Sequence, residues 1–424
     1  MLKQAVIIAG GEGKRLNSLT GDSPKILVPI LETSLLEFQI EYLKKNKIKK
    51  IHFCLGLGSE KILSKLEELD INFTYTVDDK PLGTYGALQN AYRYLDSEFF
   101  ILFGDIVLDY DISFGYKNFK SKNSDLHLIL RQTNHPEDSD IVKIDKYQNV
   151  LSLSRHDNLE FPYEPLGNTA VFFSKKNIIE SELKQLPKDI FKDFINNKIK
   201  DSKVTSEITL DFIRDIGTVD RYNQEIDNFS RYLKHEKKYV FVDRDGTLIN
   251  NRGDDNDISK FELKEGSLSL LSTLQENNFK IIMISNQPSI AKGFCTYDDV
   301  ISLNAYLQHE LIRNNLKPLD GLYFCPHHPE KGFTGEIKSL KIKCNCRKPN
   351  TGLVLKALEE LNILSQSYFF IGDTLDDYYL AKKFNSEYFI VESELTESEK
   401  FKNLNVKTYK NLDLINKEFV DNLI

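Results

Sequence analysis

The stretch YVFVDRDGTLI, residues 239–249, is an apolar run that ends abruptly in Asp243-Arg244-Asp245-Gly246-Thr247. The β-branched and aromatic members read as a buried strand. Two carboxylates two residues apart at the end of such a strand are costly to hold there without a cation or strong hydrogen bonds. In an open parallel sheet the carboxyl edge of the strands is where ligands bind. The arrangement therefore suits a nucleophilic Asp243, a neighbouring Asp245 able to move protons, and Mg²⁺ between them. A strand followed by a plain Asp-Gly turn would present the same residues, so the choice falls to the downstream sequence.

Three further pieces follow in order. IIMISNQ, residues 281–287, is a second apolar strand, ending in Ser285-Asn286-Gln287, a hydroxyl and amides suited to a phosphate. Arg347-Lys348-Pro349 supplies two adjacent cations, and YFFIGDTLDD, residues 368–377, ends a third strand in Asp373 with Asp377 four residues on. Nucleophile strand, hydroxyl strand, basic residue and acidic strand in that order resemble the haloacid dehalogenase superfamily over residues 238 to about 392. The resemblance implies an Mg²⁺-dependent phosphotransferase working through an aspartyl phosphate. In it Ser285, Asn286, Arg347 and Lys348 would contact the phosphate substrate, and Asp243, Asp373 and the backbone carbonyl of Asp245 would hold the magnesium.

Cys325-Pro326-His327-His328-Pro329 is followed after a loop by Cys344-Asn345-Cys346, so three of the chain's five cysteines fall in one short excursion. Cys325, His327, Cys344 and Cys346 make a donor set for a tetrahedral structural Zn²⁺, which would hold a loop with little core of its own. His328 is the alternative imidazole, but the CxH spacing favours His327. With this cluster and DRDGTLIN, the second half is similar to the heptose bisphosphate and histidinol phosphate phosphatases.

At 424 residues and 41% apolar content the chain has room for two or three domains with proper cores. Its net charge of −7 argues against a general nucleic-acid surface. Nothing approaches the uninterrupted apolar length of a membrane span, and no basic-then-apolar leader precedes the first strand. Cys54 and Cys295 read as ordinary thiols, and a reducing cytoplasm is the simple expectation. Apolar strands at 4–9, 50–55, 71–77 and 98–103, then 239–242, 280–285 and 368–371, alternate with helical patterns at 34–46, 84–95, 267–277 and 351–361. This predicts an α/β protein of two Rossmann-like domains, each a mainly parallel sheet flanked by helices. The polar stretch 220–236 reads as a helical connector, placing the domains at 1–236 and 237–424.

The amino-terminal half carries its own motif. Its first strand opens into Gly10-Gly11-Glu12-Gly13-Lys14-Arg15-Leu16, neither a dinucleotide fingerprint nor a Walker A loop. Glycines at 10, 11 and 13 let backbone N–H groups approach a triphosphate, and Arg15 adds a forked cation. Asp22-Ser23-Pro24-Lys25 then places another cation after a rigid proline. GGxGxRL followed by PK resembles the sugar nucleotidyltransferases, from residue 3 to about 225. The resemblance implies a nucleoside triphosphate and a sugar phosphate as partners. It implies Arg15 and Lys25 as catalytic cations, Gly83 and Thr84 near the base or sugar, Asn168 on the sugar, and Asp105 with Asp215 as Mg²⁺ ligands. There are departures: Lys14 stands where the family usually has Thr, and Ser154-Arg155-His156 replaces the usual basic pair upstream of the Asn. The segment RQTNHPEDSD, residues 131–140, reads as a solvated loop.

A phosphatase that makes heptose 1-phosphate supplies what a nucleotidyltransferase consumes. The paired resemblances therefore imply a bifunctional enzyme forming GDP-D-glycero-D-manno-heptose for surface polysaccharide. Two alternatives stand at this point. One is a cytidylyltransferase for another sugar or polyol phosphate fused to a phosphatase of different substrate. The other is a non-catalytic, nucleotide-binding regulatory half on an active phosphatase.

Overall fold

The computed structural model describes residues 2–11, 14–16, 19, 21, 23–56, 58–69, 71–180, 188–251, 253–254 and 257–422. Glu12, Gly13 and Asp22 of the amino-terminal motifs lie outside the described residues. The chain divides into two compact units, one built from Met1–Arg131, Glu137–His156 and Leu166–Lys234, the other from Gln132–Pro136, Asp157–Pro165 and His235–Ile424.

In the first unit Gln4–Ala9 is the central strand, parallel to both Lys50–Leu55 and Glu98–Phe103. Its neighbours alternate between two cores: Ala5 and Ile7 pack with Phe53, Phe100 and Leu102, while Val6 and Ile8 pack with Cys54, Phe99 and Ile101. Both faces of the sheet are buried, which is why these strands read as unbroken apolar runs. Helix Leu35–Lys45 begins in a capping box of Ser34 and Glu37 and lays Leu36, Ile40 and Leu43 on the first core.

The sheet has nine strands and is only partly parallel. Leu166–Lys175 runs antiparallel to Glu98–Phe103, and Val150–Arg155 runs antiparallel to Asp140–Ile144. The sheet is parallel on one side of Glu98–Phe103 and mixed on the other, where antiparallel pairs stand beside the parallel pair of Leu126–Gln132 and Val204–Ile208. Separately, Phe212–Asp215 pairs antiparallel with Ile106–Asp109, in a register that sets Asp215 opposite Ile106. The stretch read as a connector is a helix, Val219–Lys234, and it belongs to the first unit's packing. Phe229 is buried against Phe212 and Ile216, with Tyr222, Ile226 and Tyr232 alongside. One apolar stripe on an otherwise charged helix is enough to dock it.

The second unit is a six-stranded, wholly parallel sheet in the order Gly321–Cys325, Phe279–Asn286, Lys238–Val242, Phe369–Gly372, Glu387–Val391, Thr408–Tyr409. Sequence order runs outward one way and then the other from Lys238–Val242, so the winding reverses between that strand and Phe369–Gly372. Ligands in such sheets bind outside the carboxyl ends of the strands at the reversal. Asp243 and Asp373 are the residues that follow those two strands.

Candidate active sites

At the reversal point of the second unit three acids converge. Asp243, Asp373 and Asp377 each present an oxygen within 4.8 Å of the others, and all three are buried. Lys348 serves two of them: its Nζ lies 2.8 Å from Asp243 Oδ1 and 2.7 Å from Asp377 Oδ1. Asp243 Oδ1 also accepts the Arg244 backbone N–H at 2.8 Å. Burial pushes the Asp243 carboxyl up to about 7, Lys348 working against it and the Asp377 and Asp245 charges with it. Burial, then Asp243 and Asp377, push Asp373 up to about 8. Burial favours the neutral amine of Lys348, but the Asp243 and Asp377 charges override it and hold the lysine above its ordinary value.

The supporting contacts explain how the acids are aimed. Asp377 closes a capping box with Thr374 at the start of helix Leu375–Lys383. Ser393 Oγ donates to Asp373 Oδ2 at 2.6 Å, and Thr396 Oγ1 donates to the Asp373 carbonyl at 2.8 Å. Asp373 Oδ1 is buried with no hydrogen-bond partner among the described residues. Gly246 sits at φ +75°, and a β-carbon there would lie 2.1 Å from Asp373 Oδ2, so only glycine admits this carboxylate.

Asp245 turns away from the acid cluster. Its carboxylate takes Gln287 Nε2 at 2.6 Å and Arg244 Nη2 at 3.0 Å, with Ser285 Oγ at 3.5 Å. Arg244 is itself buried and also donates to Asn304 Oδ1 and Gln287 Oε1 at 2.8 and 2.7 Å. Of the expected magnesium set, Asp243 and Asp373 lie in the acid cluster with Asp377 as its third member, while the Asp245 side chain, whose backbone carbonyl was the expected ligand, lies outside it. The Asn286 amide, expected on the phosphate, is engaged at both ends by the Lys348 backbone, at 2.9 and 3.2 Å, and so positions that lysine. Arg347 Nη1 is buried without a hydrogen-bond partner.

Beside this edge Cys325, His327, Cys344 and Cys346 present four ligand atoms within 4.8 Å of one another. Their sulfur–sulfur separations are 3.6, 3.1 and 3.3 Å, and His327 Nδ1 stands 3.1 Å from Cys346 Sγ. A tetrahedron with sulfur about 2.3 Å from its centre has edges of about 3.8 Å, so the cluster is the size of a zinc site. His328 instead faces the Glu330 carbonyl, which decides between the two imidazoles in favour of His327.

In the first unit three separate segments meet at Gly217. A β-carbon there would lie 2.8 Å from Asp215 Oδ1, 3.2 Å from Asp105 Oδ2 and 3.7 Å from Arg15 Nη2. Lys25 Nζ approaches Asp105 Oδ2 at 3.4 Å. The strand Glu98–Phe103 delivers Asp105, and the ribbon pairing with Ile106–Asp109 delivers Asp215. Burial raises the Asp105 pKa, as does the Asp215 charge, while Lys25 lowers it. Gly10 lies against Gly56: a β-carbon on Gly56 would meet the Gly10 carbonyl at 2.4 Å, and Gly11 faces open space.

Other expected contacts have protein partners here. Gly83, at φ +76°, lies under the Lys188 carbonyl, and Thr84 Oγ1 accepts the Ile190 N–H at 2.8 Å. Asn168 Oδ1 accepts the Ala170 N–H at 3.3 Å. Reading the sequence missed Arg221, whose Nη1 donates to Asp215 Oδ2 at 2.6 Å while Nη2 reaches Asp138 Oδ2 at 3.2 Å. Its helix was read as a solvated connector, and no motif marks it.

Residues 4–231 match the family described as Nucleotidyl transferase. The chain belongs to that family. Residues 345–414 match the HAD-hydrolase-like family. The nucleotidyl transferase half is similar to the D-glycero-alpha-D-manno-heptose 1-phosphate guanylyltransferase of Campylobacter jejuni, at 32% identity over 52% of this chain and 96% of that one. The second half is similar to the D-glycero-beta-D-manno-heptose-1,7-bisphosphate 7-phosphatase of Pasteurella multocida, at 36% identity over 33% of this chain and 73% of that one. Among solved structures, HddC from Yersinia pseudotuberculosis is 25% identical, with 54% of this chain and 100% of that one covered and a TM-score of 0.45. The chain is an enzyme with two activities, a nucleotidyltransferase joined to a haloacid dehalogenase-type phosphatase. No helix among the described residues is long and apolar enough to cross a membrane.

Proposed function

We propose that residues 237–424 remove the 7-phosphate of a D-glycero-D-manno-heptose 1,7-bisphosphate and that residues 1–236 transfer a nucleotidyl group, from GTP, to the heptose 1-phosphate left behind. The observation that carries this reading is the presence in one chain of two complete acid-and-cation centres, around Asp243 and around Gly217, whose relatives act on heptose phosphates one phosphate apart.

In the phosphatase step Asp243 attacks phosphorus. Its Oδ1 carries the Lys348 and Arg244 contacts, leaving Oδ2 as the attacking oxygen. Asp245, held beside Ser285 by Arg244 and Gln287, gives its proton to the leaving sugar oxygen and then takes one from the water that hydrolyses the aspartyl phosphate. Ser285 and Lys348 hold the transferring group, and Arg347 is suited to the substrate's second phosphate. In the transferase the sugar phosphate oxygen attacks the α-phosphorus and pyrophosphate leaves, with Arg15 and Lys25 balancing the charge that gathers there.

The donors at both centres are hard oxygens that fit Mg²⁺, with Asp243 and Asp373 as its ligands in one and Asp105 and Asp215 in the other. Asp373 Oδ1, without a hydrogen-bond partner among the described residues, and three buried acids of which Lys348 pairs with two, are what a divalent cation would complete. Bound there, the ion would supply neutralisation of phosphate charge. The thiol–imidazole cluster fits structural Zn²⁺, and free thiols are in keeping with a reducing cytoplasm. Purified protein is expected to hold about one zinc per chain, and Cys344→Ser to lose it and loosen the 325–346 loop. Elemental analysis showing no zinc in an active phosphatase would refute the assignment.

The named relatives specify opposite anomers, beta for the phosphatase and alpha for the transferase. Consecutive action requires both halves to accept the same one. Phosphate and pyrophosphate release from each anomer, with each nucleoside triphosphate in turn, tests the substrate. Phosphate release from neither bisphosphate would overturn the heptose reading, and pyrophosphate release with CTP rather than GTP would overturn the base.

A further inference from the structure

Lys264 stands outside every motif, yet it joins two turns of the phosphatase centre. A short ribbon aims it: Asn250 N–H donates to the Glu262 carbonyl at 3.0 Å, Ile249 bridges Leu263, and Lys264 N–H donates to the Leu248 carbonyl at 3.0 Å. The half-buried ammonium then donates to the Gly246 carbonyl and to the Glu392 carbonyl, each at 2.6 Å. Gly246 directly follows Asp245. Glu392 directly precedes Ser393, whose hydroxyl holds Asp373 Oδ2. One cation thus fastens the turn after the nucleophile to the turn that orients the facing acid. Its two bonds run to main-chain oxygens, which makes it a strap between loops.

We propose that Lys264 is a positioning residue that sets the spacing of Asp243 and Asp373 and thereby the affinity of the centre for a divalent cation. The proposal rests on the reading of those two acids as metal ligands. Two effects of removing the ammonium have opposite signs. Losing a positive charge near Asp373 would tighten cation binding, whereas letting the two turns drift would weaken it. The short bonds to two loops make the second effect the larger, because outer contacts that orient metal ligands are typically worth about 10–100-fold in affinity.

The test is Mn²⁺ binding to the full chain followed by electron paramagnetic resonance, counting the ion that Asp373→Asn removes. Lys264→Met should weaken that site by about 10-fold or more. The Mg²⁺ concentration for half-maximal phosphate release should rise by a similar factor, with the rate at saturating Mg²⁺ and the zinc content little changed. Lys264→Arg, which keeps a donor able to bridge the two carbonyls, should restore most of the affinity. Unchanged or tighter Mn²⁺ binding in Lys264→Met overturns the proposal. If that variant is insoluble, Lys264→Gln, too short to reach both carbonyls, should show the same weakening, and wild-type affinity there overturns it equally. Should Asp373→Asn remove no Mn²⁺, it is the metal-ligand reading that fails.

Discussion

Asp243→Asn is expected to abolish phosphate release from a sugar bisphosphate while pyrophosphate release by the same chain continues at its normal rate. An amide cannot form the acyl phosphate, and no other carboxylate stands in the same place. Asp373 is tied down by Ser393, and Asp377 by Thr374 and Lys348. The substitution also leaves Lys348 with one carboxylate fewer while Asp377 remains at 2.7 Å, so the lysine keeps a partner and the fold should survive. Asp245→Asn should retain a residue of activity, falling by about 10²–10⁴-fold, the usual share of a positioned acid–base group. Phosphate release against both variants decides the matter, and wild-type turnover in Asp243→Asn would remove the nucleophile assignment altogether.

Asp105→Ala should have the mirror effect, stopping nucleotide transfer and sparing the phosphatase. Asp105 and Asp215 both lie against Gly217, and Lys25 Nζ approaches Asp105 Oδ2. Deleting one carboxylate leaves Lys25 without its partner and takes away half of the oxygen donors. A metal's contribution to charge stabilisation is several kcal/mol, so a loss of at least about 10²-fold is expected. Pyrophosphate release measures it, with phosphate release from a sugar bisphosphate as the internal control. Loss of both activities would mean that the two chemistries draw on common groups.

Much of the second unit was legible because its chemistry is punctuated. Asp243, Ser285 and Asp373 each terminate an apolar run, and the two-fold burial of a parallel sheet writes those runs plainly into the sequence. The thiols announced themselves by spacing. What was hidden depended on tertiary approach. Ser393 reaches Asp373 from the loop after a neighbouring strand, and Arg244 looks like a surface cation until Asn304 and Gln287 close around it. Asp377 was seen as an acid near Asp373, but its distance to Lys348 could be known only from the helix start that presents it. In the first unit Arg221 meets Asp215 because a charged helix is docked by a narrow stripe of Tyr222, Ile226, Phe229 and Tyr232 that polarity averages conceal. The antiparallel strands Asp140–Ile144 and Val150–Arg155 were passed over because they mix polar and apolar residues, a weaker signal than the continuous runs beside them.

The central claim is that one chain carries two chemically separate centres acting on consecutive sugar phosphates. Its most direct test supplies heptose 1,7-bisphosphate and GTP to Asp243→Asn, to Asp105→Ala and to an equal mixture of the two, and measures the nucleotide sugar formed. Each variant alone should form none, Asp105→Ala should still release phosphate, and the mixture should form nucleotide sugar because heptose 1-phosphate passes between them through solution. A mixture that releases phosphate yet forms no nucleotide sugar, while the unaltered chain does form it, would contradict two independent centres.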